Sequence, residues 1–98
     1  RMLLTMKGLT QTSRSICYAT AQALDMAKAD PANGTFWANR ASLLTPLAKA
    51  FSTDSGVDVA SLGVQVHGGM GYIEETGAAQ LLRDARILPI YEGTNGIQ

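Results

Sequence analysis

Apolar and small residues recur every three or four positions through the first third of the chain. The recurring positions are Met2, Met6, Leu9, Ser13, Ile16, Cys17, Thr20, Leu24 and Ala27. This spacing places them on one face of an α-helix that packs against a neighbour. Asp30-Pro31 ends the pattern, because a residue that precedes proline avoids the α region. The sequence therefore predicts a first helix from Met2 to about Ala29.

A second helical stretch runs from about Thr35 to Ser52 and contains Pro46. A proline inside a helix kinks the axis and costs about 3 kcal/mol. Thr45-Pro46 is also a good N-cap followed by a good first helical residue. We favour one kinked helix over two short helices that meet at this point.

A third helix is predicted from the pair Ser55 and Asp58, whose spacing is that of a capping box. Val57, Ala60 and Val64 would lie on its apolar face. Gly68-Gly69 is a strong signal for its C-terminal end.

A fourth helix is predicted to begin near Glu74 and Glu75, since a helix dipole favours acidic residues in the first turn. It would run to about Leu88, where Pro89 stops it. No segment reads as a confident strand. The predicted fold class is therefore all-α, a four-helix up-and-down bundle with short connections.

Composition narrows the possible functions. The chain has 98 residues, 46% of them apolar, and a formal net charge of zero. One domain is expected, and neither nucleic acid nor an anionic membrane has an electrostatic reason to bind. No apolar run approaches the roughly 20 residues of a membrane span. The single cysteine, Cys17, is expected in the core, and it favours a reducing compartment. Because the chain opens in a helical pattern without an initiator Met, we interpret residues 1–98 as one domain cut from a longer polypeptide.

Glu92 is the single charged residue between Ile87 and Gln98. It is interpreted either as a solvated loop acid or as a general base. A base needs a reachable substrate proton and an apolar pocket that desolvates it. That pocket would come from four neighbours: Ile87, Leu88, Ile90 and Tyr91.

The glycine run Gly68-Gly69-Met70-Gly71 also has two interpretations. It is either a cofactor contact, in which bare backbone approaches a ligand, or a helix C-cap and turn. For His67, capping or packing is favoured over catalysis. One His and one Cys lie far apart, so no metal site is predicted. Arg83-Asp84-Ala-Arg86 is interpreted as a structural ion-pair segment.

Two longer motifs favour the functional interpretations of Glu92 and of the glycine run. Gln65-Val-His-Gly-Gly-Met-Gly-Tyr72 resembles the glycine-rich flavin-contacting segment of acyl-CoA dehydrogenases. Leu82-Arg-Asp-Ala-Arg-Ile87 with Ile90-Tyr-Glu-Gly-Thr94 resembles the segment that leads to the catalytic glutamate of that family. Ala48-Lys-Ala-Phe51 is similar to the helix before the glycine segment. The motifs stand in the family's order and at about its spacing, so the resemblance implies its C-terminal helical domain.

The resemblance also implies roles for individual residues. Glu92 matches the base that removes the α-proton of an acyl thioester, while the β-hydrogen leaves as hydride to FAD and an enoyl-CoA forms. Tyr91 and Gly93 are assigned to substrate binding. Flavin contacts after the base are assigned to Thr94, Asn95 and Gly96, although the family often has glutamine where Gly96 stands. Contacts to the adenosine side of a partner subunit's FAD are assigned to Gln65, Val66, His67, Gly68 and Gly69.

The resemblance further implies an electron-transfer flavoprotein as electron acceptor and assembly as a homodimer or homotetramer. It points to a bacterial subgroup acting on less usual acyl-CoAs, including 3-methylmercaptopropionyl-CoA, and hence to the bacterial cytoplasm, with the mitochondrial matrix as the alternative. The isolated domain is expected to be inactive. Two alternatives stay open: a non-catalytic helical interaction or oligomerisation module, and a relative such as an acyl-CoA oxidase. A catalytic Glu92 should face a groove shared with Gly69 and Thr94.

Overall fold

The computed structural model describes residues 1–97, and they form an all-α fold. The α-helices are α1 (Met2–Ala29), α2 (Gly34–Val66), α3 (Gly69–Tyr72) and α4 (Ala78–Ala85). Short 3-10 turns at Pro31–Asn33 and Glu74–Thr76 connect them. The described residues contain no strand. The predicted all-α class and the number of four helices are confirmed, although the helices are very unequal in length and two of them have other boundaries than predicted.

The main correction concerns α2, which is one continuous helix where the sequence predicted two. The expected break between Ser52 and Ser55 does not occur, and Ser55 is buried inside the helix rather than capping one. The capping-box prediction is wrong because packing outweighs a local cap signal. Ser55 lines the seam between α1 and α2, beside Leu9 and Ser13, where a small side chain fits.

Pro46 lies inside α2, so the prediction of a single helix through Pro46 is confirmed. Proline has no N–H, so the Ser42 carbonyl lacks its usual helical donor. Thr45 does not act as an N-cap. Its Oγ1 instead donates to the Ala41 carbonyl, at 2.7 Å, one turn earlier in the same helix.

The core is the seam between the antiparallel helices α1 and α2. Its most buried members are small: Thr20, Ala23, Ala41, Ala48 and Ser55. The predicted face of α1 is correct through most of its length, but Cys17 and Leu24 are exposed and Ala23 is fully buried. The core assignment of Cys17 is therefore wrong. An α-helix has 3.6 residues per turn, so the buried face continues from Thr20 to Ala23 rather than to Leu24.

The C-terminal third differs from its prediction in detail. The helix α4 is shorter than expected and follows Gly77, which has the left-handed φ of 81°. Glu74 lies in the preceding 3-10 turn and pairs with Arg83, with N–O distances of 3.0 and 3.2 Å. The ion pair expected within Arg83-Asp84-Ala-Arg86 is thus replaced by a longer-range one. Both side chains are largely exposed, so the pair is worth about 1 kcal/mol or less.

No helix within residues 1–97 combines the length and the apolar character needed to cross a membrane.

Candidate functional site

Glu92 lies in a tight loop that follows α4. Successive turns carry the chain from Ala85 to buried Pro89, and the Tyr91 amide donates to the Ile87 carbonyl at 3.0 Å. Glu92 then has a φ of 56° and Gly93 a φ of 96°. A left-handed φ costs an ordinary L-residue about 1–2 kcal/mol. Such strain persists only where the surrounding structure fixes it, and it is found most often at functional sites.

Contacts from the middle of α2 hold this loop. The Lys49 ammonium donates to the Gly93 carbonyl at 2.7 Å and to Asn95 Oδ1 at 2.6 Å. The backbone N–H of Asn95 donates to the Pro89 carbonyl at 3.1 Å, and this bond closes the loop. The sequence pattern did not single out Lys49 as a site residue. The feature of the sequence that could have indicated it is a lysine among apolar neighbours in Ala48-Lys-Ala-Phe51.

Both Oδ1 and Nδ2 of the Asn95 side chain bond to residues of α2. Lysine can only donate, so Oδ1 of Asn95 faces Lys49 and Nδ2 faces acceptors. Those acceptors are Thr53 Oγ1 and Asp54 Oδ1, both at 2.8 Å, and the Ala50 carbonyl at 3.3 Å. The assignment of Asn95 to a flavin contact stays a prediction.

The outer face of the loop is open. Tyr91, Glu92, Gly93, Thr94 and Gly96 are all exposed. The apolar pocket that the sequence predicted around Glu92 is not enclosed by residues 1–97. Of its expected walls, Ile87 is 52% exposed and Ile90 is 47% exposed. Glu92 is therefore exposed in the described part of the chain.

The second predicted segment forms a turn at the C-terminal end of α2. His67 Nδ1 donates to the Gly63 carbonyl at 2.7 Å, which fixes the proton on Nδ1 because a carbonyl only accepts. The predicted capping role of His67 agrees with this contact. Gly68 has a φ of 63° and its N–H donates to the Gln65 carbonyl at 3.0 Å. All five predicted cofactor residues of the turn are exposed: Gln65, Val66, His67, Gly68 and Gly69.

Two glycines of this turn have opposite surroundings. A Cβ on Gly71 would overlap the Val64 carbonyl oxygen and lie 2.9 Å from His67 Cβ. Gly71 is therefore required by the close approach of α3 to the end of α2. A Cβ on Gly69 would meet no atom of residues 1–97 within 4 Å. Nothing in this part of the chain requires a glycine at position 69.

The two predicted segments are not brought together in one chain. The Glu92 loop contacts α2 between Lys49 and Asp54, whereas the turn begins at Gln65. At about 1.5 Å of rise per residue, Asp54 and Gln65 are roughly 17 Å apart along the helix. These contacts therefore place the turn and the Glu92 loop at different levels of α2.

Residues 1–97 contain no group of three or more His, Cys, Asp or Glu side chains that could hold a metal ion. An open groove of about 540 Å³ lies between the end of α2 and α4, lined by Val64, Tyr72, Leu82 and the Arg83–Glu74 pair.

The fold and these two segments define an all-α domain whose candidate site residues lie on its surface. A family model described as "Acyl-CoA dehydrogenase, C-terminal domain" matches residues 1–98. The chain belongs to this family, whose members are FAD-dependent oxidoreductases acting on acyl-CoA thioesters.

Individual relatives agree with this assignment. The chain is 57% identical over 99 residues to a 3-methylmercaptopropionyl-CoA dehydrogenase of Ruegeria pomeroyi, covering 100% of this chain and 17% of that protein. It is 37% identical over 100 residues to a butyryl-CoA dehydrogenase of Syntrophomonas wolfei, covering 100% of this chain and 16% of that protein. No solved structure gives a significant match. The chain thus spans about a sixth of the length of the curated relatives it matches.

Proposed function

We propose that residues 1–98 are the C-terminal domain of a longer, FAD-dependent acyl-CoA dehydrogenase. In this proposal Glu92 removes the α-proton of an acyl-CoA thioester. When bound, FAD supplies the acceptor for the hydride that leaves the β-carbon, so that the thioester loses one proton and one hydride and becomes an enoyl-CoA. The observation that carries the proposal is a glutamate held with a left-handed φ on an exposed loop.

The geometry suits a base that is completed by another part of the protein. Glu92 is exposed here, whereas a base for a weakly acidic proton needs a site from which water is excluded. Tyr91 and Gly93 lie on either side of it and would contact the thioester. The rest of the polypeptide, together with bound substrate, would cover this face.

The exposed segments also suit contacts with a flavin cofactor. Gly69 has open space where a side chain would stand, so backbone there can approach a large ligand closely. Thr94 and Gly96 are exposed beside Glu92 and would lie near the flavin. Gln65, Val66, His67 and Gly68 would contact the adenosine side.

From the resemblance of the two segments to those of the family, we propose that the turn and the Glu92 loop, which lie at different levels of α2, serve two different FAD molecules. The Glu92 loop acts in its own subunit, and the turn contacts the FAD of a partner. This requires at least a homodimer and is compatible with a homotetramer. Electrons would pass on to an electron-transfer flavoprotein, and the enzyme would work in the bacterial cytoplasm.

For the substrate, we propose a short acyl-CoA and name 3-methylmercaptopropionyl-CoA as the first candidate. Support comes from the 57% identity to the Ruegeria pomeroyi enzyme with that name. The butyryl-CoA dehydrogenase relative makes butyryl-CoA the second candidate.

A non-catalytic interaction module is the second candidate function. Large apolar side chains that face solvent favour it, among them Leu4 at 76%, Tyr72 at 83% and Ile97 at 86% exposed. The same surface is explained by contacts with other domains and subunits of a dehydrogenase, so both functions predict a partner. They differ in what Glu92 does.

The deciding experiment uses the full-length protein that carries this domain, with Glu92→Gln compared with wild type. Each form is mixed anaerobically with a panel of acyl-CoAs, and bleaching of the bound oxidised flavin is followed. We expect wild type to bleach and Glu92→Gln to retain FAD but bleach about 10²–10⁴ times more slowly, the usual contribution of a general base. Glu75→Gln, a change at another exposed glutamate, should behave as wild type. Equal bleaching by wild type and Glu92→Gln would contradict the proposal.

A further inference from the structure

We propose that Lys49 is a positioning residue, which sets the location of the Glu92 carboxylate by holding the backbone that follows it. This inference rests on the proposed role of Glu92 as the base. It deepens that role by naming the part of α2 that aligns the base with the substrate's α-carbon.

The first argument is the conformation of the loop. Glu92 and Gly93 both have left-handed φ values, 56° and 96°. Gly93 adopts its value without strain, but Glu92 does not. A free loop would return Glu92 to a negative φ, and its side chain would then leave the Cα in another direction. Some contact from outside the loop must oppose this change.

The second argument is the position of Lys49 relative to the loop. Its ammonium bridges the Gly93 carbonyl, at 2.7 Å, and Asn95 Oδ1, at 2.6 Å. One side chain therefore holds the carbonyl directly after Glu92 and the side chain three residues after it. Asn95 adds its own contacts to Thr53 and Asp54, both at 2.8 Å, so the far side of the loop is fixed to the same helix.

The third argument is the rigidity of the support. Lys49 is half-buried near the middle of α2, next to buried Ala48 in the seam with α1. The loop itself has exposed residues on its outer face and ordinary turns on either side. Precision at a catalytic group comes from a rigid element behind it. Lys49 forms a polar link from that helix to Gly93, the residue after Glu92.

The expected consequence is a defect in alignment rather than in binding. Without the ammonium, the Gly93 carbonyl and Asn95 Oδ1 lose their shared donor and the loop relaxes. A displacement of about 1 Å can slow a positioned reaction by about 100-fold. In this proposal Lys49 contacts the loop and not the substrate, so the affinity for acyl-CoA should change little.

The test compares Lys49→Met with Lys7→Met in the full-length protein loaded with FAD. Lys7 is an exposed lysine of α1 and controls for the loss of a positive charge. Flavin reduction is followed by anaerobic stopped flow over a range of 3-methylmercaptopropionyl-CoA and butyryl-CoA concentrations. For Lys49→Met we expect the limiting rate to fall about 10- to 100-fold while the apparent Kd changes by less than about threefold. Lys7→Met should match wild type.

A third variant, Lys49→Gln, retains one N–H donor group and should give an intermediate limiting rate. A purely structural role would lower FAD content and raise Kd in step with the rate. A limiting rate for Lys49→Met within about twofold of wild type would overturn the inference, as would a loss seen in Kd alone.

A readout independent of turnover completes the test. Hydrogen exchange is measured for the peptide that contains the Asn95 and Ile97 amides, which are hydrogen-bonded within the loop. In Lys49→Met we expect exchange there to accelerate at least about tenfold, with α1 unchanged. Unchanged exchange would overturn the inference.

The two proposals fail in different ways. If Glu92→Gln bleaches like wild type, the proposed function fails. If Glu92→Gln is inactive and Lys49→Met is normal in both readouts, only the positioning role fails.

Discussion

The glycine turn at the end of α2 and the Glu92 loop after α4 reach unusual backbone conformations in different ways. The turn is built from local contacts: His67 bonds to Gly63, and Gly68 bonds to Gln65. The loop depends on a side chain that lies 46 positions earlier in the chain, since Lys49 bonds to Asn95. A turn set by local geometry should tolerate changes elsewhere, whereas a loop held from another helix should respond to that helix. Substitutions in the two segments test each side of this contrast.

The largest effect is expected at Gly69, where residues 1–97 leave room for a side chain. If the glycine is needed for contact with a bound cofactor, Gly69→Val should weaken FAD binding by the full-length protein about 10- to 100-fold. The reason is that the valine side chain would occupy space that the cofactor needs. The measurement is FAD affinity, by titration of the apoprotein.

Gly8→Val on α1 is the matched control, since a Cβ there also meets nothing within 4 Å. It should bind FAD as wild type does. If Gly69→Val also binds FAD normally, the turn does not contact the cofactor, and its exposure has another cause.

A change inside the turn should act on stability rather than on binding. Gly71→Ala places a Cβ against the Val64 carbonyl and His67, so we expect a loss of about 1–3 kcal/mol in the free energy of unfolding. Gly69→Ala, two residues away, should cost close to nothing. Denaturant midpoints of the two full-length variants give the comparison. Equal midpoints would show that the end of α2 moves away from α3 easily.

The smallest effect is expected in the Glu92 loop. Gly93 has a φ of 96°, so Gly93→Ala should cost about 1–2 kcal/mol of local stability. Gly96 lacks a left-handed φ, and a Cβ added to it would meet no described atom within 4 Å, so Gly96→Ala is the control and should be nearly neutral. Hydrogen exchange at the loop amides measures both. A neutral Gly93→Ala would mean that the loop changes its conformation readily, in conflict with a loop held by Lys49.

The same contrast explains what the sequence could predict. The boundaries of α1 and the turn at Gly68-Gly69 follow from local periodicity and from glycine, and both agree with the structure. The continuity of α2 through Ser55 could not be predicted from local signals, because that serine is buried against α1 and does not cap a helix. Local signals are overridden where two helices pack closely.

The residues of the candidate site also fall into two groups, those that the sequence indicates and those that only the folded structure shows. Glu92 and the glycine run stand out in the sequence as a solitary acid and a cluster of glycines. Lys49 does not stand out, because its significance lies in a contact with Gly93 and Asn95 that only folding creates. Asn95 was assigned to the flavin from resemblance, which stays a prediction, and the contacts of its side chain with α2 were not predicted. The apolar pocket that the sequence predicted around Glu92 is not formed by residues 1–97, because Ile87 and Ile90 are themselves about half exposed.

The central claim is that the Glu92 loop and the glycine turn of one chain act in two different active sites. The most direct test co-expresses full-length Glu92→Gln and Gly69→Val chains with different affinity tags and purifies the mixed dimers over both tags. One site of each mixed dimer would then combine an intact Glu92 with an intact turn from the partner. We expect about half of the wild-type dehydrogenase activity per mixed dimer, with little activity in either parent at limiting FAD. Mixed dimers no more active than their parents would contradict the claim and place both segments in the same site.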